Sequence, residues 1–171
     1  MEKINEDKGK IDNIIAMSAY PELEEIFKKE DASGVKNLIL NILSKEYPFD
    51  KSAYSDSDLD KIGETYGGKR DAFFVAEESG EIVGTVGVKE ERQLEALLRR
   101  LFVDIKHRKK GYGSALLGKA IGFLRDKGYK KIYFRCTDRM ADAMRLCEKN
   151  GFKETEKLEV SGFKIHKLGL S

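Results

Sequence analysis

The run Arg108-Lys109-Lys110-Gly111-Tyr112-Gly113-Ser114 combines four features that together suit binding of a phosphate group. It is cationic, and it carries two glycines. It follows the apolar segment Leu101-Phe102-Val103. It also opens directly into a stretch where Leu116, Leu117, Ala120, Ile121 and Leu124 recur at helical spacing. The first N–H groups of a helix have no intrahelical acceptor, and the helix dipole favours negative charge there. Gly111 and Gly113 lack side chains that would hold a ligand away from that backbone. The simplest alternative is an ordinary strand-to-helix connection with solvated lysines.

Three motif readings can be set against these residues. A dinucleotide fingerprint needs a third small residue where Leu116 stands. A nucleotide P-loop over Gly113 to Lys119 lacks its magnesium-binding hydroxyl, because Ala120 occupies that position. Arg-x-x-Gly-x-Gly, between a strand and an amphipathic helix, fits without a misfit.

The elements around the loop follow from pattern. Val35, Leu38, Ile39, Ile42 and Leu43 share a helix face, with Asp31 or Ser33 as N-cap and a stop before Pro48. A brief apolar signal around Ile26 and Phe27 suggests a first strand over 23–29. Residues 47–68 read as a polar connector, with a short helical turn at 58–62. Residues 72–76 and 82–88 form a hairpin turning at Ser79-Gly80. A strand over 97–103 leads to the loop, and Lys127-Gly128 closes the following helix. A strand over 131–136 completes a βαβ unit with a parallel pair. Thr137 or Asp138 is placed to cap a last helix carrying Met140, Ala143, Met144 and Cys147. A hairpin over 158–165 ends the chain. The expected architecture is α/β: one mixed, mostly antiparallel sheet with helices on both faces.

With 171 residues and 40% hydrophobic content, one domain with a full core is expected, spanning 21–171. Residues 1–20 form an N-terminal extension. They read either as a helix packing on the domain or meeting a second copy in a homodimer, or as a loosely held end. Charged residues reach 36%, yet the net charge is only +2, so no general polyanion-binding surface is expected. A nucleic-acid stripe over Lys106 to Lys110 is disfavoured by that balance and by the lack of clustered aromatics. Cys136 and Cys147 have no histidines nearby in sequence, which argues against a metal site or a disulfide framework. No segment reads as a membrane span or a leader, so a cytoplasmic location is the expectation.

The hairpin over 73–88, Arg99-Arg100-Leu101-Phe102-Val103, the loop at 108–113 and Ala143-x-x-Leu146-Cys147-Glu148-Lys149-Asn150-Gly151-Phe152 stand in an order that resembles the GNAT superfamily of N-acetyltransferases. The resemblance covers roughly residues 23–170. It implies that the two central parallel strands splay apart and that acetyl-coenzyme A is the co-substrate. Its pantetheine arm would add to the strand edge at Leu101, Phe102 and Val103. Backbone N–H groups of Lys109, Lys110, Gly111, Tyr112, Gly113 and Ser114 would hold its pyrophosphate. Arg108, Lys106, Lys109 and Lys110 would add charge attraction. The Leu101 N–H would polarise the thioester carbonyl. Acetyl would then pass by direct attack to a primary amine of a small molecule or peptide.

The sequence departs from the family's pattern at three positions. Cys147 stands where many members carry a tyrosine acid, and it reads either as a proton donor or as a buried packing residue. Leu97 stands where some members place a glutamate base. Glu95, two residues earlier on the same strand face, is the nearest substitute, or else a solvated charge at a strand end. Met140 replaces a frequent cofactor-contacting asparagine. These departures leave a catalytically impaired acyl-coenzyme-A-binding module as the alternative. Acidic residues within 47–60 would attract a cationic acceptor such as a polyamine, a lysine side chain or a peptide N-terminus. His107 and His166 both read as exposed, without partners for a metal site or a triad.

Overall fold

A computed structural model describes residues 14–16, 29–49 and 57–171. The segment over 23–28, where a first strand is expected, and the aromatic and acidic residues of 50–56 lie outside the described residues. The elements are β1 (Ile14–Ala16), α1 (Lys29–Glu46), α2 (Ile62–Thr65), β2 (Ala72–Glu78), β3 (Glu81–Arg92), β4 (Glu95–Val103), α3 (Tyr112–Asp126), β5 (Lys131–Thr137), α4 (Ala141–Lys149), β6 (Lys153–Val160) and β7 (Phe163–Leu170). Short 3-10 turns cover Ser57–Asp60 and Ile105–His107.

These strands form a single seven-stranded sheet in the order β1-β2-β3-β4-β5-β7-β6. Every neighbouring pair is antiparallel except β4 with β5. That parallel pair sits at the centre because the crossover through α3 separates it in sequence, as βαβ geometry requires. Three residues of the expected extension, Ile14 to Ala16, pair with β2 and carry the sheet one strand further.

Helices cover both faces. Leu116, Leu117, Ala120 and Leu124 of α3 are fully buried, and Leu116 Cδ1 lies 2.8 Å from where a Cβ on Gly84 would stand. Gly84 is therefore needed for α3 to seat against β3. Gly87, three residues on, faces the other way, toward Tyr66 and Phe73. Val35, Ile39 and Leu43 of α1 are buried, and α1 packs against β3 and the 3-10 turn at Ser57–Asp60. None of the described helices is long and apolar enough to cross a membrane.

Two strands extend beyond what alternation revealed. β4 begins at Glu95, with the β3–β4 hairpin turning at Leu94 (φ 66°). β6 begins at Lys153, not at Leu158, and every one of its residues is exposed. Its Lys-Glu-Thr-Glu-Lys stretch is an edge strand whose charges discourage pairing with other chains, so it carries no apolar signature.

The reading of His166 as solvent-facing is corrected by the fold. β7 brings it opposite Cys136, with 9% of its surface exposed. Its two ring nitrogens meet the carboxylates of Asp138 and Glu154. Asp138 is thus a partner of β7 and not a helix cap; α4 starts after Met140 with no side-chain cap. The hydrogen bonds to Asp138 and Glu154 raise the His166 pKa above the ordinary imidazole value. A raised folded-state pKa adds stability that is complete below the unfolded value and is lost as pH climbs through the folded one. The melting-temperature gap between wild type and His166→Asn should therefore be widest at about pH 6 and narrow at higher pH. A gap constant across a pH series of thermal melts would refute this.

Candidate functional site

The central parallel pair separates part-way along its length. Glu95 to Leu98 of β4 stand opposite Lys131 to Phe134 of β5, and the pairing ends there. Beyond it β5 continues to Thr137 against β7 alone, while β4 continues to Val103 against β3 alone. A cleft of about 680 Å³ occupies the gap, walled by β4 from Leu97 to Phe102, by Phe134 to Cys136, by Met140, and by the β6–β7 hairpin.

The divergence has a local cause. Thr85 pairs with Phe102 and Gly87 with Arg99, so Arg100 and Leu101 both stand opposite Val86. One extra residue in a strand bends it and disrupts the ladder. Arg100 takes φ 55°, a left-handed conformation that costs a non-glycine residue on the order of 1 kcal/mol. Buried polar contacts offset that cost. The Arg100 guanidinium grips Asp58 through Nε (3.0 Å) and Nη2 (2.5 Å), while its carbonyl accepts from the Thr85 hydroxyl at 2.7 Å. Tyr66 donates to Asp58 at 2.7 Å, and Arg99 Nη2 lies 4.0 Å from the same carboxylate. Burial works to raise the Asp58 pKa. The hydrogen bonds from Arg100 and Tyr66 and the arginine charges outweigh it, and the carboxyl ends below its usual range.

None of Asp58, Tyr66, Thr85 and Arg100 stood out as a site residue from sequence. The signal was Arg99-Arg100 within an apolar strand, since a regular pleat would turn one of two consecutive charges into the core.

The loop lies at the far end of β4. Gly111 precedes α3 at φ 92°, and the first described bond of the helix runs from Ala115 N–H to Gly111 O at 3.0 Å. Lys109 also has a positive φ of 63°. Left-handed residues interspersed with ordinary ones turn successive N–H groups toward one concavity, which suits an anion. Lys106, Lys109, Lys110 and Ser114 are exposed there, while Tyr112 is buried in the core. The residues present therefore fit a diphosphate.

Two loop residues have roles other than ligand clearance. A Cβ on Gly113 would meet Leu146 Cδ2 at 3.0 Å, so this glycine is accounted for by the seating of α4 against α3. Arg108 forks onto Glu46 at the end of α1 (2.6 and 2.8 Å) and donates to Val103 O at 3.0 Å. Its side chain fastens the loop to α1 and to β4. His107, expected from sequence to be exposed, is half-buried and bridges Asp104 (2.8 Å) and Glu78 (2.9 Å).

Of the residues singled out by sequence, Leu101 and Phe102 line the cleft, Val103 follows them at the end of β4, and the loop adjoins that end. Cys147 does not reach the cleft wall. It is fully buried in α4, and burial pushes its thiol up to about 12. Cys136 does line the cleft and is likewise pushed up to about 12 by burial. Glu95 sits at the other end of β4, opposite Arg92 and Lys131, roughly 20 Å along the strand from Leu101. Met140 lies in the cleft wall. No metal-holding group of three or more His, Cys, Asp or Glu side chains occurs among the described residues.

The profile of the Acetyltransferase (GNAT) family matches residues 36–152, and the chain belongs to that family. Human N-acetyltransferase 8 is 34% identical over 107 residues, which are 58% of this chain and 46% of that protein. The chain spans about half the length of the curated relatives it matches. A GNAT-family acetyltransferase from Staphylococcus aureus Mu50 superposes with a TM-score of 0.75 at 23% identity, covering 93% of this chain and 99% of that one. An aminoglycoside 6'-N-acetyltransferase solved with coenzyme A gives a TM-score of 0.66 at 16% identity, covering 84% and 91%.

Replacing Asp58 with alanine takes the carboxylate away from the buried Arg100 guanidinium and should cost roughly 3–5 kcal/mol in chemical denaturation; a loss below about 1 kcal/mol would dissociate the bulge from this pair. Ser114→Glu separates fold from ligand. A carboxylate in the first turn suits the helix dipole, so the melting temperature should hold or rise. Coenzyme A affinity by calorimetry should nevertheless fall at least about tenfold, and unchanged affinity would move the anion site elsewhere.

Proposed function

We propose that this chain is an N-acetyltransferase that moves acetyl from acetyl-coenzyme A to a primary amine by direct attack. The observation that carries the reading is the separation of β4 from β5 beyond Leu98 and Phe134, ending at the mouth of α3. Acetyl-coenzyme A supplies an activated thioester. The residues of the chain do the rest by holding and orienting.

Leu101, Phe102 and Val103 offer a backbone edge that β5 has left, to which an extended amide-bearing arm can add as a strand does. The N–H groups from Lys109 to Ser114, with Lys106, Lys109 and Lys110 around them, take the diphosphate. Arg108 acts by fixing the loop through Glu46. The bulge turns the main chain at Leu101, whose N–H polarises the thioester carbonyl. Binding both reactants in one cleft converts a bimolecular encounter into a local one.

Direct attack requires the amine to lose a proton. Glu95 is remote and is not assigned that step, and Cys147, sealed in the core, is not assigned protonation of the leaving thiolate. The cleft opens at the β6–β7 hairpin, where Leu158 and Val160 are exposed, and solvent there accepts the proton. The same two placements also suit a chain that binds acyl-coenzyme A without transferring it.

Purified protein with acetyl-coenzyme A should release thiol when pooled primary amines are added, and initial-rate lines for the two substrates should intersect. Parallel lines, or radiolabelled acetyl retained on denatured protein, would indicate a covalent acyl-enzyme instead. No thiol release above hydrolysis, with coenzyme A still bound, would favour the binding module.

A further inference from the structure

Among the described residues the charge on the cleft wall is of one sign: its lining includes Arg99, Arg100 and Arg135 and no aspartate or glutamate. Arg100 is committed to Asp58, but the other two arginines are placed differently. Leu98 and Phe134 are the last paired residues of β4 and β5, so Arg99 and Arg135 are the next residue on each strand. They flank the point where the sheet divides, on the same face.

Each is only partly satisfied by its carboxylate. Arg99 lies 4.0 Å from Asp58, whose oxygens already take hydrogen bonds from Arg100 and Tyr66. Arg99 also rests over the Tyr66 ring at 5.9 Å. Arg135 meets Glu91 through Nη2 at 2.8 Å with 43% of its side chain exposed. Arg99 and Arg135 each carry five N–H donors and spend few of them on the carboxylate beside them. Among the described acids of the 47–60 segment, Asp58 serves Arg100 and Asp60 pairs with Lys36 at 2.5 Å.

Opposite the arginines the wall is apolar. Leu158 and Val160 of β6 and Phe163 and Ile165 of β7 face the cleft, and Leu158 and Val160 leave 37% and 54% of their surface in water. Apolar side chains grouped at the rim of a cleft mark a surface for an apolar ligand group. Guanidinium is the side chain best shaped to fork onto a carboxylate.

Resting on the acetyl-transfer reading above, we infer that the acceptor is a small primary amine carrying a carboxylate and an apolar arm, an apolar amino acid. Its carboxylate is bound between Arg99 and Arg135, and its arm lies against Leu158, Val160, Phe163 and Ile165. The bond formed is the amide from the amine nitrogen to the acetyl carbon. The bond broken is the thioester, with the thiol as leaving group and one proton released from the amine.

Matched acceptors test this directly. Kcat/KM for L-phenylalanine should exceed that for phenethylamine, which lacks only the carboxylate, by more than tenfold, and spermidine should be poorer still. Arg99→Gln and Arg135→Gln should each raise the KM for phenylalanine and cut the phenylalanine-to-phenethylamine ratio at least fivefold, with partial recovery in the lysine variants. Equal or better use of phenethylamine or spermidine, or transfer confined to an acidic peptide, would overturn the inference while leaving acetyl transfer intact. Calorimetry of phenylalanine into the protein saturated with coenzyme A separates the two readings. Binding that is lost in both glutamine variants, without turnover, would uphold the carboxylate site and sink the transfer reading. Neither binding nor turnover of phenylalanine would sink the inference.

Discussion

The buried pair between Asp58 and Arg100 is the constraint on which the cleft depends. Arg100 holds a left-handed backbone conformation in the middle of a strand, where pairing with β3 on one side and β5 on the other would ordinarily be continuous. A carboxylate buried beneath it, a tyrosine hydroxyl on that carboxylate and a threonine hydroxyl on the Arg100 carbonyl together fix the irregularity. A buried ion pair adds little net stability over well-packed apolar residues, yet losing one partner is costly. Its value here is geometric. It sets where β4 turns away from its parallel neighbour.

Electrostatics sorts the face of the sheet that bears Arg99 and Arg135. Asp58 holds the chain's irregular strand, while Arg99 and Arg135 remain half-committed at the fork. The loop before α3 is cationic as well, but its strongest cation is neutralised by Glu46. Burial works against the Arg108 charge, and the Glu46 carboxylate more than restores it. What the loop offers to an anion is thus mainly main-chain N–H groups and the exposed Lys106, Lys109 and Lys110, the last of them 3.5 Å from Glu78. The two proposed binding regions differ in kind: one uses backbone at a helix mouth, the other side-chain forks.

Much of the architecture was legible in residue patterns because its signals are local. Gly111 before a helical repeat, Ser79-Gly80 between apolar runs and Lys127-Gly128 after α3 each act within a few residues. The elements that pattern missed depend on distant partners. The first half of β6, Lys153 to Lys157, is charged or polar because it lies at the sheet edge, so only Leu158 and Val160 alternate. His166 looked solvated because its partners, Asp138 and Glu154, lie 28 and 12 residues away. Asp58 and Arg100 are 42 residues apart, and only the pair of adjacent arginines hinted that β4 was irregular. Cys147 read from sequence either as a proton donor or as a buried packing residue, and in the fold it is fully buried in α4.

Arg108 joins three parts of the chain through one side chain: the end of α1, the last residue of β4 and the start of the loop. Such a three-way tie gives the loop its shape before any anion arrives. Little conformational entropy is then left to lose on association. A pre-shaped loop also exacts a penalty for selectivity, because it cannot close down on a smaller anion such as free phosphate.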